Sequence, residues 1–353
     1  MTTAPPTPKR PTAQALPAAG RSGGALTLWF LAALGTLIVL ALLSLSVGSK
    51  MIPPADVLAG VLAPTGTEND LIISGVRIPR TLLCIAAGAA LAVAGTLMQA
   101  LTRNPLADPG ILGVNAGAAL GVALGYIVFG VGGFLNSLWF AYAGAILATL
   151  VVYVLASTGG PASITPTRLT LSGVAVGAVL GGITSAMSLS NPKAFDSLRF
   201  WSAGSVAGRE MDVVSIALPV IAIALVLALA LGRGLNALSL GDDLAASLGS
   251  RTGATRALGA VAVTVLCGTA TAAAGPIGFV GLMVPHSLRP LVGPDQRWLL
   301  AFSVVCGPIL LLAADLVGRT IARPHELSVG VITAFVGAPI LVWLALRRRG
   351  RIT

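Results

Sequence analysis

The chain has 353 residues, of which 56% are hydrophobic and only 10% are charged, and its mean hydropathy is +0.93. A water-soluble domain of this length could not cover its surface with so few polar side chains, so soluble enzymes and soluble binding domains are excluded. The formal net charge of +10 does not by itself indicate nucleic-acid binding, because the placement of basic residues matters more than their sum in a membrane protein.

Apolar segments of about 20 residues follow one another along the chain and predict an all-α integral membrane protein, because transmembrane barrel strands are about half as long. Residues 1–25, rich in Pro, Ala, Thr and Ser, are expected to form a disordered cytoplasmic tail, and residues 347–353 a basic cytoplasmic tail. A transmembrane domain is expected over residues 26–346. Its ten predicted spans lie at roughly 25–47, 81–101, 111–130, 138–157, 169–189, 213–232, 257–275, 277–292, 298–318 and 327–346.

The distribution of basic residues predicts the orientation of these spans. With the N-terminus inside, ten spans place fourteen of the 22 Lys and Arg residues on the cytoplasmic side. Cytoplasmic loops carry an excess of Lys and Arg, so both termini are expected in the cytoplasm. The same orientation places residues 233–256 in the cytoplasm.

Residues 233–256, the polar loop, interrupt two apolar spans with the sequence RGLNALSLGDDLAASLGSRTGATR. Asp242 or Asp243 can cap the start of a short helix, and Gly249 can end it. A helix of fewer than two turns is not stable alone in water, so it needs a surface to pack against. The residues alone allow two interpretations, a loop that packs on its own helix bundle and a lever that binds a soluble partner.

Glycine recurs at every fourth residue in two predicted spans. This spacing keeps small residues on one helix face, where a second helix can approach closely. Close packing is the expected role, and lining a transport path is the alternative. The residues are Gly117, Gly121 and Gly125 in one span and Gly173, Gly177 and Gly181 in the other.

Motifs for catalysis, nucleotide binding and metal binding are missing from the sequence. None of the three lysines stands in a GxxxxGK[ST] pattern, and the histidines, His286 and His325, form no HExxH motif. Asp315 is the clearest acid inside a span, and Arg319 one turn later can pair with it. A cation-coupled carrier usually needs more intramembrane acids or histidines. A passive path, or a permease driven by the ATP hydrolysis of another protein, is therefore favoured, with no catalytic residue and no metal site.

Short motifs occur in order along the transmembrane domain, and together they resemble the permease subunits of binding-protein-dependent importers for iron–siderophore complexes, haem and cobalamin (FecCD type). Three runs are most similar to the enterobactin-type members: LTRNPLADPGILGVNAGA, SLRFWSAGS and ALSLGDDLAASLGSR. Where the family often has Glu-Leu-Pro-Val-Gly before the last span, this chain has Ser328 in place of the proline. The motifs are Arg77-Ile78-Pro79-Arg80, Gln99, Asn104-Pro105-Leu106-Ala107-Asp108-Pro109, Leu112-Gly113-Val114, Ala274-Gly275-Pro276-Ile277-Gly278-Phe279-Val280-Gly281-Leu282, Pro285-His286, Ala314-Asp315 with Arg319, and Val336-Gly337-Ala338-Pro339.

This resemblance implies a type II ABC importer permease fold of ten transmembrane helices in the inner membrane. The implied function is transport of a ferric siderophore, catecholate and enterobactin-like, from an extracytoplasmic binding protein into the cytoplasm. Haem or cobalamin is the alternative cargo. The implied partners are a second permease subunit, either a related chain or a second copy, and two cytoplasmic ATPases. ATP and Mg²⁺ would be bound by those ATPases, and no cofactor is expected in this chain.

The resemblance also implies two sets of site residues. In the family, outward-facing arginines hold acidic residues of the binding protein, and Arg77, Arg80 and Arg319 match them. The alternatives are a solvated face for Arg77 and Arg80 and an internal pair with Asp315 for Arg319. The second set lies in the loop after the sixth span, which couples to the ATPase: Leu238, Ser239, Leu240, Gly241, Asp242, Asp243, Leu244, Ala245, Leu248 and Gly249.

Overall fold

The computed structural model describes residues 23–48, 50–63, 65–130, 134–158, 165–247, 249–322 and 325–349. In this part of the chain, helices are joined by turns and no strand occurs. The helices are α1 (Gly23–Ser46), α2 (Pro54–Leu62), α3 (Glu68–Ile72), α4 (Ile78–Thr102), α5 (Val114–Ile127), α6 (Phe134–Ser157), α7 (Pro166–Ser190), α8 (Pro192–Ser202), α9 (Met211–Ala230), α10 (Gly232–Ser239), α11 (Asp242–Ser247), α12 (Thr252–Ala274), α13 (Val280–Val292), α14 (Gln296–Ile321) and α15 (Val329–Arg349).

All ten predicted spans fall on helices, so the chain is an all-α, multi-pass membrane protein. Among the described residues, seven helical segments are long and apolar enough to cross a membrane. The other three predicted spans fall on α5, α13 and α15, and the apolar part of α15 is Val329–Ile340. With 14 and 13 residues, α5 and α13 are shorter than a bilayer is thick.

Left-handed backbone turns explain why α5 and α13 are short. Before α5, Pro109–Leu112 forms a 3₁₀ turn and Gly113 follows it with φ 75°. Before α13, Phe279 has φ 68°, an uncommon conformation for a residue with a side chain. The turn that precedes α5 lies inside the bundle, since Ala107 and Leu112 are buried. Non-helical backbone is tolerated in a membrane protein where other protein surrounds it, as here.

Helix α4 is the centre of the bundle and packs against α9, α12, α13 and α14. Of its most apolar 18 residues 89% are buried, against 6% for the same measure in α1. Glycine permits this crowding. A Cβ atom at Gly88 would lie 2.7 Å from the backbone of Pro308 in α14, and a Cβ atom at Gly95 would lie 1.9 Å from the carbonyl oxygen of Gly281 in α13. Backbone therefore meets backbone along α4, with no room for a side chain.

The two predicted glycine stripes have different surroundings. In α5, a Cβ atom at Gly117 would lie 2.3 Å from the Gly144 oxygen of α6, so the packing role is confirmed there. In α7, a Cβ atom at Gly177 or Gly181 would meet nothing within 4 Å. This part of α7 faces away from the bundle of its own chain, and the packing partner of that stripe stays a prediction.

The helices extend into both predicted tails. The first helix begins at Gly23, and α15 continues through Arg349 although it contains Pro339. Residues 1–22 and 350–353 of the predicted tails lie outside the described residues.

Replacing Gly95 by alanine tests the close contact of α4 with α13. We expect Gly95→Ala to destabilise the protein by about 1–3 kcal/mol, because the added methyl group would overlap the backbone of Gly281. The measurement is the fraction of monodisperse protein that survives heating in detergent. Gly35→Ala is the matched control, since Gly35 lies in α1 with nothing within 4 Å of its Cβ position. Equal stability of the two variants would contradict the contact.

Candidate functional site

Helix α4 carries a polar site at each of its ends. Arg77 precedes its first residue and Arg80 lies in its first turn, whereas Arg103 caps its last turn and contacts the polar loop. The 25 residues of α4 rise about 37 Å, which exceeds the thickness of a hydrocarbon core. The two sites therefore lie at opposite ends of a membrane-spanning helix.

Asp315 is the centre of the charged cluster at the first end. Its carboxylate accepts hydrogen bonds from Nε of Arg80 at 3.2 and 3.1 Å and from Nη2 of Arg80 at 2.8 Å. It also accepts one from Nε of Arg319 at 2.8 Å and another from Nη2 of the same arginine. Because the side chain of Asp315 is only 1% exposed, one buried carboxylate holds two guanidinium groups.

The arginines of this cluster also bind the end of α1. Arg319 donates from Nη1 to the carbonyl oxygens of Ser44 and Val47, at 2.9 and 3.0 Å. Arg77 donates to the carbonyl oxygen of Leu45. The last carbonyl groups of a helix have no partner within the helix, and arginine satisfies them here. The cluster consequently joins α1, α4 and α14.

Glu326 forms the outer edge of the cluster. Its Oε2 accepts a hydrogen bond of 2.6 Å from Nη1 of Arg80. The side chain of Glu326 is 31% exposed, whereas that of Arg80 is 7% exposed. Glu326 is therefore the part of this ion-pair network that solvent reaches most easily.

The polar loop folds as the two short helices α10 and α11. Helix α11 begins at Asp242 and ends at Ser247, and Gly249 has the left-handed φ of 73°. The predicted short helix with a glycine stop is thus confirmed. The predicted loop residue Leu248 lies outside the described residues, and the side chains of Asp242 and Asp243 are not described.

The leucines of the polar loop divide between its inner and outer faces. Leu238 and Ala245 are buried against the chain itself. Leu240 and Leu244 are exposed, at 57% and 59% of their surface. Of these four residues, Leu240 and Leu244 offer apolar surface to a soluble partner, so the predicted coupling set contains both anchoring and outward-facing residues.

Two hydrogen-bonded contacts fasten α10 to the bundle. Nε of Arg103, a residue with left-handed φ of 51°, donates to the carbonyl oxygen of Leu238 at 3.0 Å. The side chain of Asn236 donates to Asp295 Oδ1 and accepts from the backbone N–H of Gln296, both at 2.8 Å. The polar loop is thereby attached to the residue that follows α4 and to the first turn of α14 with its N-cap, Asp295. These two helices run side by side to the charged cluster at the other end.

A buried polar contact holds α13 against α4. The side chain of Gln99 donates to the carbonyl oxygen of Gly281 at 3.3 Å and accepts from Nη2 of Arg289 at 2.9 Å. The sequence indicated Gln99 only as part of a motif, because its partners lie more than 180 residues later in the chain.

Within the described residues, no group of three or more His, Cys, Asp or Glu side chains could hold a metal ion.

The profile of the FecCD transport family matches residues 36–347. The chain belongs to the FecCD transport family. The matched range includes α4, the polar loop and the charged cluster, so both candidate sites lie in the family's common domain. The family assignment made from sequence motifs is confirmed.

Individual FecCD relatives align over nearly the whole chain. The ferric enterobactin transport system permease protein of Escherichia coli (strain K12) is 49% identical over 312 residues, which are 88% of this chain and 93% of that protein. The hemin transport system permease protein of Yersinia pestis is 36% identical over 90% of this chain and 96% of that protein. A solved structure, described as an inward-facing conformation of a metal-chelate type ABC transporter, has a TM-score of 0.80 and 26% identity over 91% of this chain and 99% of that chain.

The arginines predicted from the FecCD resemblance are placed together but point inward. Arg77, Arg80 and Arg319 are all buried, so the solvated face considered for Arg77 and Arg80 is wrong. The internal pair of Arg319 with Asp315 is confirmed. Contact of the three arginines with a binding protein stays a prediction. The sequence did not reveal that Arg80 shares Asp315, because the two residues are 235 positions apart.

Removing the shared charge tests the cluster. We expect Asp315→Asn to lower the free energy of unfolding by about 3–5 kcal/mol, because two buried arginines would lose their common carboxylate. Glu68→Gln is the control, since the pair of Glu68 with Lys50 is exposed and should change stability by about 0–1 kcal/mol. The measurement is thermal and denaturant unfolding in detergent. A small effect at Asp315 would show that the cluster is not a stabilising centre.

Proposed function

We propose that this chain is the membrane permease subunit of an ATP-driven importer that moves a ferric siderophore into the cytoplasm across the inner membrane. The observation that carries the proposal is the placement of two different sites at opposite ends of α4 in a chain with the FecCD fold. At one end of α4 the polar loop exposes Leu240 and Leu244, and at the other end lies the charged cluster with its three arginines. A permease that does not itself hydrolyse ATP needs one contact with an ATPase and another with the protein that delivers its cargo.

The end of α4 that contacts the polar loop is proposed to face the cytoplasm, and the polar loop is proposed to bind an ATPase. The excess of Lys and Arg on this side supports the orientation. Leu240 and Leu244 supply the apolar contact, while Leu238 and Ala245 anchor the lever to the bundle. ATP and Mg²⁺ would be bound by two copies of that ATPase, and this chain would contribute neither a cofactor nor a catalytic residue.

The cargo is proposed to be a catecholate siderophore complex of Fe³⁺. The support is the 49% identity to a relative named for ferric enterobactin transport, against 36% to one named for hemin transport. Sequence similarity of this degree supports a shared cargo class more strongly than the fold does, because one fold serves several cargoes. Haem and cobalamin are the alternatives that transport measurements must separate.

A second permease subunit is proposed to cover the open face of α7. Gly177 and Gly181 leave room for a close helix contact, and Leu171 and Val174 on the same helix are exposed. Small residues in such a row allow membrane helices to approach each other closely. The second subunit would be a related chain or a second copy of this one, and the cargo would pass between the two subunits.

The arginine end is proposed to receive an extracytoplasmic binding protein through acidic residues of its two lobes. Of the three predicted arginines, Arg80 reaches nearest to solvent through its contact with Glu326. Arg77 and Arg319 are engaged by carbonyl groups of α1, and they would contribute mainly positive potential.

Transport by the assembled complex tests the function. The complex is purified through a tag on this chain, its other subunits are identified by mass, and it is reconstituted in vesicles with the binding protein. We expect ATP-dependent accumulation of radiolabelled ferric enterobactin, and little accumulation of haem or cobalamin. Accumulation without an ATPase would contradict the proposal, and preference for haem or cobalamin would reassign the cargo.

Two lever variants should fail at different steps. Leu244→Glu should reduce recovery of the ATPase with the permease about tenfold, because it places a charge in an apolar contact. Arg103→Gly should assemble normally, since glycine suits the left-handed backbone at this position, but should lower transport per ATP about fivefold by removing the hydrogen bond to Leu238. Subunit recovery and the ratio of transport to ATP hydrolysis are the two measurements. Loss of assembly in Arg103→Gly would contradict the assigned division of roles.

A further inference from the structure

We propose that Glu326 competes with the binding protein for Arg80. Glu326 holds Arg80 in the undocked permease, and a carboxylate of the binding protein replaces it during docking. The inference rests on the proposed function, because it requires that an acidic partner meets the permease at this end of α4. In this role Glu326 weakens docking of the binding protein, whereas the arginines strengthen it.

The geometry separates the two carboxylates that hold Arg80. Asp315 takes the edge formed by Nε and Nη2, is 1% exposed, and is also held by Arg319. Glu326 takes Nη1, is 31% exposed, and has Arg80 as its ion-pair partner among the described residues. A partner could not reach Asp315 without opening the bundle. Glu326 is the carboxylate that an arriving acid can replace.

The position of Glu326 between two helices lets its side chain move without moving the helices. It lies in the connection between α14, which ends at Ile321, and α15, which begins at Val329. The next residue, Leu327, is fixed because its N–H donates to the carbonyl oxygen of Gly318 at 3.1 Å. Rotation of the Glu326 side chain alone can therefore vacate Nη1 of Arg80, and rotamer changes of this kind are common on binding.

The charges of the cluster explain why an exchange would favour an acidic partner. Arg77, Arg80 and Arg319 carry three positive charges, and Asp315 and Glu326 carry two negative ones. A partner that displaces Glu326 must supply a carboxylate in return, because a buried arginine left with half of its partners is costly. Neutral surfaces would gain nothing from the exchange. Glu326 would thus raise the selectivity of docking and lower its affinity.

The test compares two glutamates on the same side of the membrane. The complex is placed in lipid nanodiscs, and its affinity for the binding protein that was identified with it by mass is measured at several salt concentrations. Glu326→Gln should tighten docking about five- to tenfold at low salt and steepen its salt dependence, because the cluster gains net positive charge. Glu68→Gln removes the same charge at an exposed pair and should change the affinity less than about twofold.

The arginine itself supplies the second arm of the test. In an Arg80→Lys background, Glu326→Gln should no longer tighten docking, since a lysine lacks the planar fork that both carboxylates share. Glu326→Ala, which also vacates the position, should behave as Glu326→Gln does if the effect comes from exchange. Monodispersity of each complex before the binding measurement shows that the variants have folded.

Three results would overturn the inference: unchanged docking in Glu326→Gln, weaker docking in Glu326→Gln, or an equal gain in Glu68→Gln. The last result would show a general effect of net charge with no exchange at Arg80. These results differ from failure of the proposed function, in which the wild-type complex itself would bind no binding protein. Docking of the wild type with no response to Glu326 would reject the exchange alone and leave the transport function standing.

Discussion

The ion-pair network around Asp315 constrains three helices at once. A charged side chain inside a membrane protein is costly unless other charges and polar groups satisfy it. Here Asp315 is satisfied by Arg80 from α4 and Arg319 from its own helix, and Arg319 in turn satisfies the last carbonyl groups of α1. None of these groups can be moved or removed alone, so α1, α4 and α14 have fixed positions at this end of the bundle.

The hydrogen bonds of Arg103 and Asn236 between the polar loop and the other end of the same helices each contain at most one charged group. A guanidinium-to-carbonyl hydrogen bond from Arg103 joins the polar loop to the end of α4, and the side-chain amide of Asn236 joins it to the start of α14. Between the ends, α4 and α14 touch backbone to backbone at Gly88 and Gly307, with no side chain that could yield. We expect such a pair to move as one rigid body, because packed interiors deform little. In an importer of the proposed kind, a shift of the lever would reach the arginine cluster as movement of the whole pair.

The proposed roles of the two sites would let one fold serve different cargoes. In the proposed importer, both sites would contact partner proteins: the polar loop would offer apolar surface to an ATPase, and the charged cluster would offer positive charge to a binding protein. Relatives named for ferric enterobactin and for hemin share the fold at 49% and 36% identity to this chain. In the proposed importer, we expect cargo selection to belong to surfaces that require the second subunit and the binding protein, such as the open face of α7.

Particular residues show what the sequence determined by itself. Long apolar runs predicted the helices, because burying twenty apolar residues in lipid depends on composition and hardly on neighbours. The short helix α11 with its stop at Gly249 followed from local signals, since capping and left-handed turns are set by adjacent residues. The pair of Asp315 with Arg319 was visible because they are one helical turn apart.

The tertiary structure alone decided the contacts between distant residues. Arg80 meets Asp315 and Glu326 across more than 230 positions of sequence, and these contacts bury an arginine for which a solvated face was the alternative to contact with a binding protein. The stripes at Gly117 and Gly177 have the same spacing, yet one is filled by α6 and the other is open. Spacing along a helix states only which residues share a face. Which neighbour covers that face depends on how all the helices pack, and that is the physical reason why the sequence left these sites open.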